Sequence, residues 1–264
     1  MTIPTVGILY PGYSAEDDYP LAEALLTRPA GSAGFHPPGL AHPAGCHPPG
    51  LGGPRLPLVH TLMREDAHRV DALLDIGGDD VLADGVRALA SKGPLSAVVW
   101  ACTSGSFVFG WDGAAAQVSA LGDVAGVPAS STSFAFVDAC ARLGVTRVAV
   151  GATYPDDVAE RFVAFLGVAG IEVLSLSAKG IITAAEVGTL PRETVLEFAA
   201  AADHPDAQAV LLPDTALHTI GLLDALDARA GKPVLTANQV SVWQGLRLAG
   251  ADAPRAGLGA LFAG

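Results

Sequence analysis

The chain has 264 residues, half of them apolar, and its 15 basic and 27 acidic residues give a net charge of −12 at pH 7. This negative charge argues against general binding to nucleic acid or anionic membranes, and no apolar run reaches the roughly 18 residues that span a bilayer. The three cysteines have no close spacing, which predicts a reduced, cytoplasmic protein without a disulfide framework or zinc cluster.

The first third of the chain predicts a strand, an insertion and two helices. Residues 1–5 lack the basic and apolar segments of a signal peptide. Segment 29–54 is rich in proline, glycine and histidine and contains His-Pro-Pro-Gly-Leu twice, which predicts a surface insertion because such proline density excludes helix and central strand. Around it, apolar patterns predict strands at 6–10 and 56–60 and helices at 65–76 and 81–90.

From residue 97 onward, predicted strands and helices alternate. The strands fall at 97–101, 127–130, 145–150, 171–176, 209–213 and 233–237. The helices fall at 114–125, 134–143, from 155 onward, and at 191–202, 217–228 and 240–249. Such alternation is typical of an α/β fold with parallel sheets.

The two halves repeat one order of elements, with the insertion in the first half. We therefore predict two pseudo-symmetric lobes, each a mostly four-stranded parallel sheet flanked by helices, with the active site in the cleft between them. The first lobe is predicted to comprise residues 1–133 completed by 240–264, and the second lobe residues 134–239.

Two predicted strands end at chemically reactive side chains. Strand 97–101 runs into Cys102, and strand 209–213 runs into Asp214. Because open parallel sheets do their chemistry outside the carboxyl ends of strands, the pair predicts a two-sided site. The small residues that follow Cys102 allow backbone amides to point into the site. Because such amides stabilise an anion, we expect them to lower the pKa of the thiol. The alternatives are an inert buried thiol at Cys102 and a simple helix cap at Asp214.

Several hydroxyl groups lie at the same predicted edge. Tyr10 or Tyr13 in the first half and Tyr154 in the second lie at the end of the first strand, where each either donates to a substrate carboxylate or plugs the sheet edge. The hydroxyls of Thr103, Ser104 and Thr215 either bind the same carboxylate or cap local turns. His60 is interpreted as structural and Cys140 as a core residue. We expect no metal site in the insertion, whose candidate ligands are His36, His42, Cys46 and His47.

Longer motifs resemble a known group of enzymes. The chain resembles the aspartate/glutamate racemase superfamily, most closely its arylmalonate decarboxylases and maleate cis-trans isomerases. The resemblance rests on residues 102–107, 143–150, 154–158, 160–162, 243–250 and 257–262.

This resemblance implies a two-lobed α/β enzyme that works without metal or organic cofactor on a small carboxylate. It implies that Thr103, Ser104 and Tyr154, with amides near residues 103 and 215, hold one substrate carboxylate. Racemases and isomerases of this group carry a cysteine at both sites, whereas the decarboxylases keep only the second and have glycine at the first. Here Cys102 matches the isomerases at the first site, and Asp214 at the second site excludes a two-thiol mechanism.

The leading functional hypothesis is therefore maleate-type cis-trans isomerisation, with Cys102 as nucleophile and Asp214 as proton carrier or electrostatic partner. The alternatives are decarboxylation of a disubstituted malonate, racemisation of an amino acid or hydantoin by a Cys/Asp pair, and non-catalytic binding of a carboxylate. The sequence leaves homo-oligomerisation open.

Overall fold

The computed structural model describes residues 3–27 and 52–263, which form two four-stranded parallel sheets. The first sheet has the order β2-β1-β3-β4, with strands β1 (Val6–Tyr10), β2 (Leu58–His60), β3 (Ala97–Trp100) and β4 (Ala129–Ser131). The second has the order β6-β5-β7-β8, with strands β5 (Arg147–Ala152), β6 (Glu172–Ala178), β7 (Ala209–Leu212) and β8 (Val234–Thr236). The shared order confirms the predicted α/β fold of two parallel sheets.

Helices cover both sheets within the described residues. They are α1 (Asp18–Leu26), α2 (Val70–Ile76), α3 (Asp79–Ala90), α4 (Ser104–Phe107), α5 (Gly110–Ala125), α6 (Thr132–Leu143), α7 (Asp156–Val168), α8 (Ala184–Val187), α9 (Arg192–Ala202), α10 (Leu223–Ala230) and α11 (Ala237–Leu248). Over residues 3–27 and 52–263, no helix has the length and apolar character needed to cross a membrane. Almost all of the predicted insertion, with its three histidines and Cys46, lies outside the described residues.

The first sheet is buried on both faces because helices α3 and α11 cover opposite sides of β1. All five residues of β1 are buried. A Cβ atom on Gly85 of α3 would lie 2.9 Å from Leu9, and one on Gly245 of α11 would lie 2.4 Å from Val6. Since neighbouring strand residues alternate between faces, these contacts place the C-terminal helix α11 on the first sheet, opposite α3.

The second sheet separates two hydrophobic clusters. Ala149 of β5 packs with Phe198 of α9 in a cluster confined to the second half of the chain. Val148 and Val150, on the other face, belong to a larger cluster that includes Phe162 of α7 and the apolar residues of the first sheet. A continuous apolar core therefore joins the two lobes.

Two predicted helices begin later than the sequence pattern indicates. The helix predicted at 65–76 begins only at Val70, because the preceding loop bonds to the second lobe instead of to its own backbone. The helix predicted at 217–228 is α10 (Leu223–Ala230), preceded by a turn and a short 3-10 helix. In both places tertiary hydrogen bonds override the apolar periodicity of the segment.

A buried carboxylate also connects the lobes. Asp18 at the start of α1 accepts hydrogen bonds from the amides of Thr219 (2.8 Å) and Ile220 (3.2 Å) and from the Asn238 side chain (2.9 Å). Burial raises the pKa of Asp18 from 3.8 to about 6, despite these bonds. Since the folded state then binds the proton more tightly than the unfolded chain, the contribution of Asp18 to stability falls as pH rises from about 4 to about 6.

We expect Asp18→Asn to remove this pH dependence, because the amide oxygen still accepts hydrogen bonds but carries no charge. Relative to the unsubstituted protein, the variant should gain about 2 kcal/mol in free energy of unfolding between about pH 4 and pH 7. Urea unfolding at several pH values measures the effect. Asp123→Asn removes an exposed carboxylate of α5 and serves as the control. An unchanged slope in D18N would contradict the assignment.

Candidate active site

Cys102 lies just beyond the end of β3, where the chain turns into the short helix α4. The thiol is 4% exposed, and its sulfur accepts a hydrogen bond from the Gly105 amide at 3.3 Å. The carbonyl of Gly105 accepts from the Trp100 indole (3.2 Å) and the Gln117 amide (3.0 Å). Because a Cβ on residue 105 would lie 3.0 Å from the sulfur, glycine permits the close approach of this peptide to the thiol.

The Cys102 thiol is protonated at neutral pH. Burial raises its pKa to about 12 and outweighs the opposing effects of the Gly105 amide and the Ser104 hydroxyl, while the charge of Asp214 raises the pKa further. The expectation that backbone amides give this thiol a lowered pKa is therefore wrong. Desolvation disfavours the thiolate more than the amides of Gly105 and Ser104 and the Ser104 hydroxyl favour it.

Asp214 lies at the equivalent position in the second lobe, beyond the end of β7. One of its carboxylate oxygens accepts the Ala216 amide at 2.9 Å, and the other accepts the Thr153 hydroxyl. The Asp214 carboxylate therefore accepts a hydrogen bond from an amide of its own turn. It does not cap helix α10, which begins nine residues later. Thr153, at the end of β5, is a site residue that the sequence analysis did not identify.

His68 lies next to Asp214 in the site, although the sequence pattern predicted it to be in a helix. It lies in the loop between β2 and α2, which we call the β2–α2 loop (residues 61–69). Its Nε2 is 4.0 Å from the Asp214 carboxylate, and its Nδ1 is 2.9 Å from the carbonyl of Ile181. Only a structure could reveal His68, because its partners lie more than a hundred residues away.

These groups line one cleft between the lobes. Its cavity volume is about 30 Å³, within about 420 Å³ of empty space that includes the open mouth. Five residues singled out from the sequence line it, namely Tyr10, Cys102, Ser104, Asp214 and Thr215. The β2–α2 loop adds Met63, Glu65, Asp66, Ala67 and His68.

Two other residues singled out from the sequence lie behind this surface. Thr103 is fully buried, and no described residue is a hydrogen-bond partner for its hydroxyl. Tyr154 is 1% exposed, donates its hydroxyl proton to the Pro213 carbonyl at 2.6 Å, and packs edge-on against His68. The Tyr154 proton is therefore used within the protein, to hold the turn that carries Asp214.

Tyr10 and His60 lie at the end of the first sheet. The Tyr10 hydroxyl contacts Ser14 (2.7 Å) and the Thr215 carbonyl (3.1 Å), which joins the two lobes at the cleft. Burial raises the pKa of Tyr10 well above its ordinary range, so its hydroxyl stays protonated. His60 stacks on Tyr13 at a ring distance of 4.2 Å and does not line the cleft, and Cys140 is fully buried in α6.

Known proteins share both the sequence and the fold. The family model of arylmalonate decarboxylase matches residues 72–262. Arylmalonate decarboxylase of Bordetella bronchiseptica is 33% identical over 187 residues, which cover 69% of this chain and 76% of the relative.

Two solved structures cover almost the whole chain. One is a liganded arylmalonate decarboxylase in which a glycine is replaced by cysteine and a cysteine by serine; it has a TM-score of 0.74, 26% identity and 98% coverage of both chains. The other is a Nocardia farcinica maleate cis-trans isomerase mutant with a covalently bound succinylcysteine intermediate. It has a TM-score of 0.78 and 20% identity, and covers 99% of this chain and 98% of the isomerase. The chain belongs to the arylmalonate decarboxylase family and is an enzyme of the aspartate/glutamate racemase superfamily branch that includes decarboxylases and maleate isomerases.

Proposed function

We propose that this enzyme acts, without a cofactor, at the carbon beside a carboxylate of a small dicarboxylic acid, and that its reaction is maleate-type cis-trans isomerisation. One observation carries the proposal: a single thiol from the first lobe and a carboxylate from the second line the same cleft. Such a site supplies one nucleophile and a separate group that handles its proton. The chemistry requires a reduced thiol, which agrees with the cytoplasmic location predicted from the sequence.

Cys102 is the proposed nucleophile. Its sulfur adds to one alkene carbon, the other carbon takes up negative charge shared with its carboxylate, and the resulting single bond rotates. Expulsion of the sulfur restores the double bond in the trans form. Because the thiol is protonated at rest, its proton must pass to another group in the cleft during the addition. Asp214 serves this step as proton carrier or electrostatic partner.

The hydroxyls of Ser104 and Thr215 are the proposed contacts to a substrate carboxylate, because both side chains line the cleft. Thr103 and Tyr154 support them from behind, and Tyr10 fixes the turn that carries Thr215. The narrow cleft favours a short diacid over a bulky one. The covalent succinylcysteine of the structurally similar Nocardia farcinica isomerase supports a cysteine that bonds to substrate.

Decarboxylation of a disubstituted malonate is the second candidate, favoured by the family match and the 33% identity to a decarboxylase. In that reaction the protonated thiol of Cys102 would donate its proton to the enediolate left by the loss of carbon dioxide. A thiol whose pKa burial raises to about 12 suits a proton donor as well as a latent nucleophile.

Replacement of Cys102 by serine tests the nucleophile. We expect C102S to lower kcat for maleate by about a thousandfold or more, because a hydroxyl is a much weaker nucleophile than a thiolate. Proton NMR of the maleate and fumarate signals measures turnover, and circular dichroism checks the fold. Cys140→Ala, which removes a buried thiol away from the cleft, is the matched control. Full activity in C102S would contradict the proposal.

Product analysis in deuterated water separates the candidate reactions. We expect maleate to give fumarate and methylphenylmalonate, a prochiral disubstituted malonate, to release no carbon dioxide. Carbon dioxide release with a single enantiomer of an α-deuterated monoacid, and no reaction of maleate, would assign decarboxylation instead. Entry of deuterium at the α-carbon of both enantiomers of aspartate would assign racemisation.

The influence of Asp214 on the thiol predicts faster alkylation in Asp214→Asn. Loss of the carboxylate charge lowers the pKa of Cys102, so more thiolate is present at a given pH. The rate of iodoacetamide reaction at Cys102, followed by peptide mass spectrometry between pH 7 and about 9, should rise severalfold. Cys140, whose pKa burial alone raises to about 12, is the internal control. An unchanged rate at Cys102 would show that the charge of Asp214 does not reach the thiol.

A further inference from the structure

His68 is a cleft residue to which the proposed function has so far given no role. It is 6% exposed. Among the cleft-lining residues that the structure describes, it is the one side chain that can carry a positive charge. A buried imidazole between a carboxylate and an open cleft is a common arrangement for general acid–base chemistry.

The hydrogen bonds of His68 define its neutral form. The Ile181 carbonyl near Nδ1 can only accept, so Nδ1 carries a hydrogen and donates it over 2.9 Å. In the neutral ring, Nε2 therefore bears the lone pair, and it is directed toward the Asp214 carboxylate at 4.0 Å. That distance is too long for a hydrogen bond, but it places the Asp214 carboxylate beside the ring nitrogen that is free to accept a proton.

The backbone around His68 is fixed to the second lobe. The amide of His68 donates to the Ile182 carbonyl at 2.6 Å. The Asp66 carboxylate accepts the amides of Ala184 (2.8 Å) and Ala185 (3.0 Å) at the start of α8. The ring also packs edge-on against Tyr154 at 4.9 Å. These contacts hold the imidazole in one orientation relative to Asp214.

Hydrogen bonds also fix the orientation of the Asp214 carboxylate. The oxygen that faces His68 accepts the Thr153 hydroxyl, and the other oxygen accepts the Ala216 amide. Because both oxygens are hydrogen-bonded, the position of the carboxylate beside the imidazole is fixed. A carboxylate close to an imidazole stabilises the imidazolium that forms when the ring gains a proton. Here the Ile181 carbonyl at Nδ1 orients the ring, and the carboxylate lies on the Nε2 side.

We propose that His68 is the proton carrier of the cleft, with Asp214 as its charge partner, and this inference rests on the proposed reaction at Cys102. During addition, the thiol proton of Cys102 passes to Nε2, the sulfur electron pair forms the carbon–sulfur bond, and the alkene pair moves toward the substrate carboxylate. On elimination, the carbon–sulfur bond breaks, the double bond re-forms, and Nε2 returns its proton to the sulfur. Protons and electrons balance without a co-reactant.

The order in which charges develop during the reaction favours His68 as the proton carrier. His68 becomes positive at the moment when negative charge develops on the substrate, so the imidazolium stabilises the intermediate. The other titratable groups that line the cleft around it carry no positive charge; they are Tyr10, Glu65, Asp66, Cys102 and Asp214, with Tyr154 against the ring. Asp66 is bound to two backbone amides, which leaves His68 and Asp214 as the pair directed at each other.

Two substitutions of His68 test the proposal. His68→Asn keeps a donor for the Ile181 carbonyl but has no basic nitrogen, and His68→Ala leaves space for added imidazole. We expect both to lower kcat for maleate by about a hundredfold or more while binding of succinate, an unreactive analogue measured by calorimetry, changes little. Added imidazole should restore activity to H68A in proportion to its unprotonated form, and H68N should lose the acid limb of the kcat–pH profile. His218→Asn, which changes a partly exposed histidine outside the cleft, is the control.

The outcomes separate this inference from the proposed function. Full kcat in H68N, together with an inactive C102S, would overturn the role of His68 and leave the thiol mechanism in place. Loss of succinate binding in H68N, or a lack of imidazole rescue in H68A, would reduce His68 to a structural residue. Full activity in C102S would remove the proposed function itself.

Discussion

The site depends on hydrogen bonds between the lobes, because each lobe supplies one half of the reactive groups. The β2–α2 loop contributes its amide at His68 and its carboxylate at Asp66 to the backbone of residues 181–185. Tyr10 bonds to the carbonyl of Thr215, and Asp18 accepts two amides near the start of α10. A shift of one lobe would break several buried bonds at once, each of which is costly to leave unsatisfied. The cleft is thus positioned by the same contacts that stabilise the fold.

Burial sets the chemistry of the thiol. The Cys102 side chain lines the cleft but is buried, and the hydrogen bonds of the Gly105 and Ser104 amides and the Ser104 hydroxyl do not offset the cost of an ionised sulfur there. A resting thiol is less exposed to oxidation and alkylation than a thiolate. Activation is then limited to the moment when a substrate and a proton acceptor are both present, which ties reactivity to binding.

The fold could be predicted from the sequence because apolar runs and helix periodicity are local properties. The strands that carry Cys102 and Asp214 emerge from that pattern, and so does their placement at the carboxyl edge of parallel sheets. His68 and Thr153 could not be found in this way, since their partners come from distant segments. The pKa of Cys102 could not be predicted either: the amides after a strand end are visible in the sequence, whereas the depth of burial is set by the whole fold.

The asymmetry between the two strand ends has a physical consequence. A carboxyl side chain ordinarily titrates near pH 4 and an imidazole near neutrality, so an imidazole is in general the better proton carrier at neutral pH. Pairing the two restores, at the second strand end, a group able to accept and return a proton. Because the carboxylate comes from the second lobe and the imidazole from a loop of the first, the pair exists only while the β2–α2 loop is docked. In the proposed mechanism, proton transfer therefore requires the docked β2–α2 loop, which also forms one wall of the cleft.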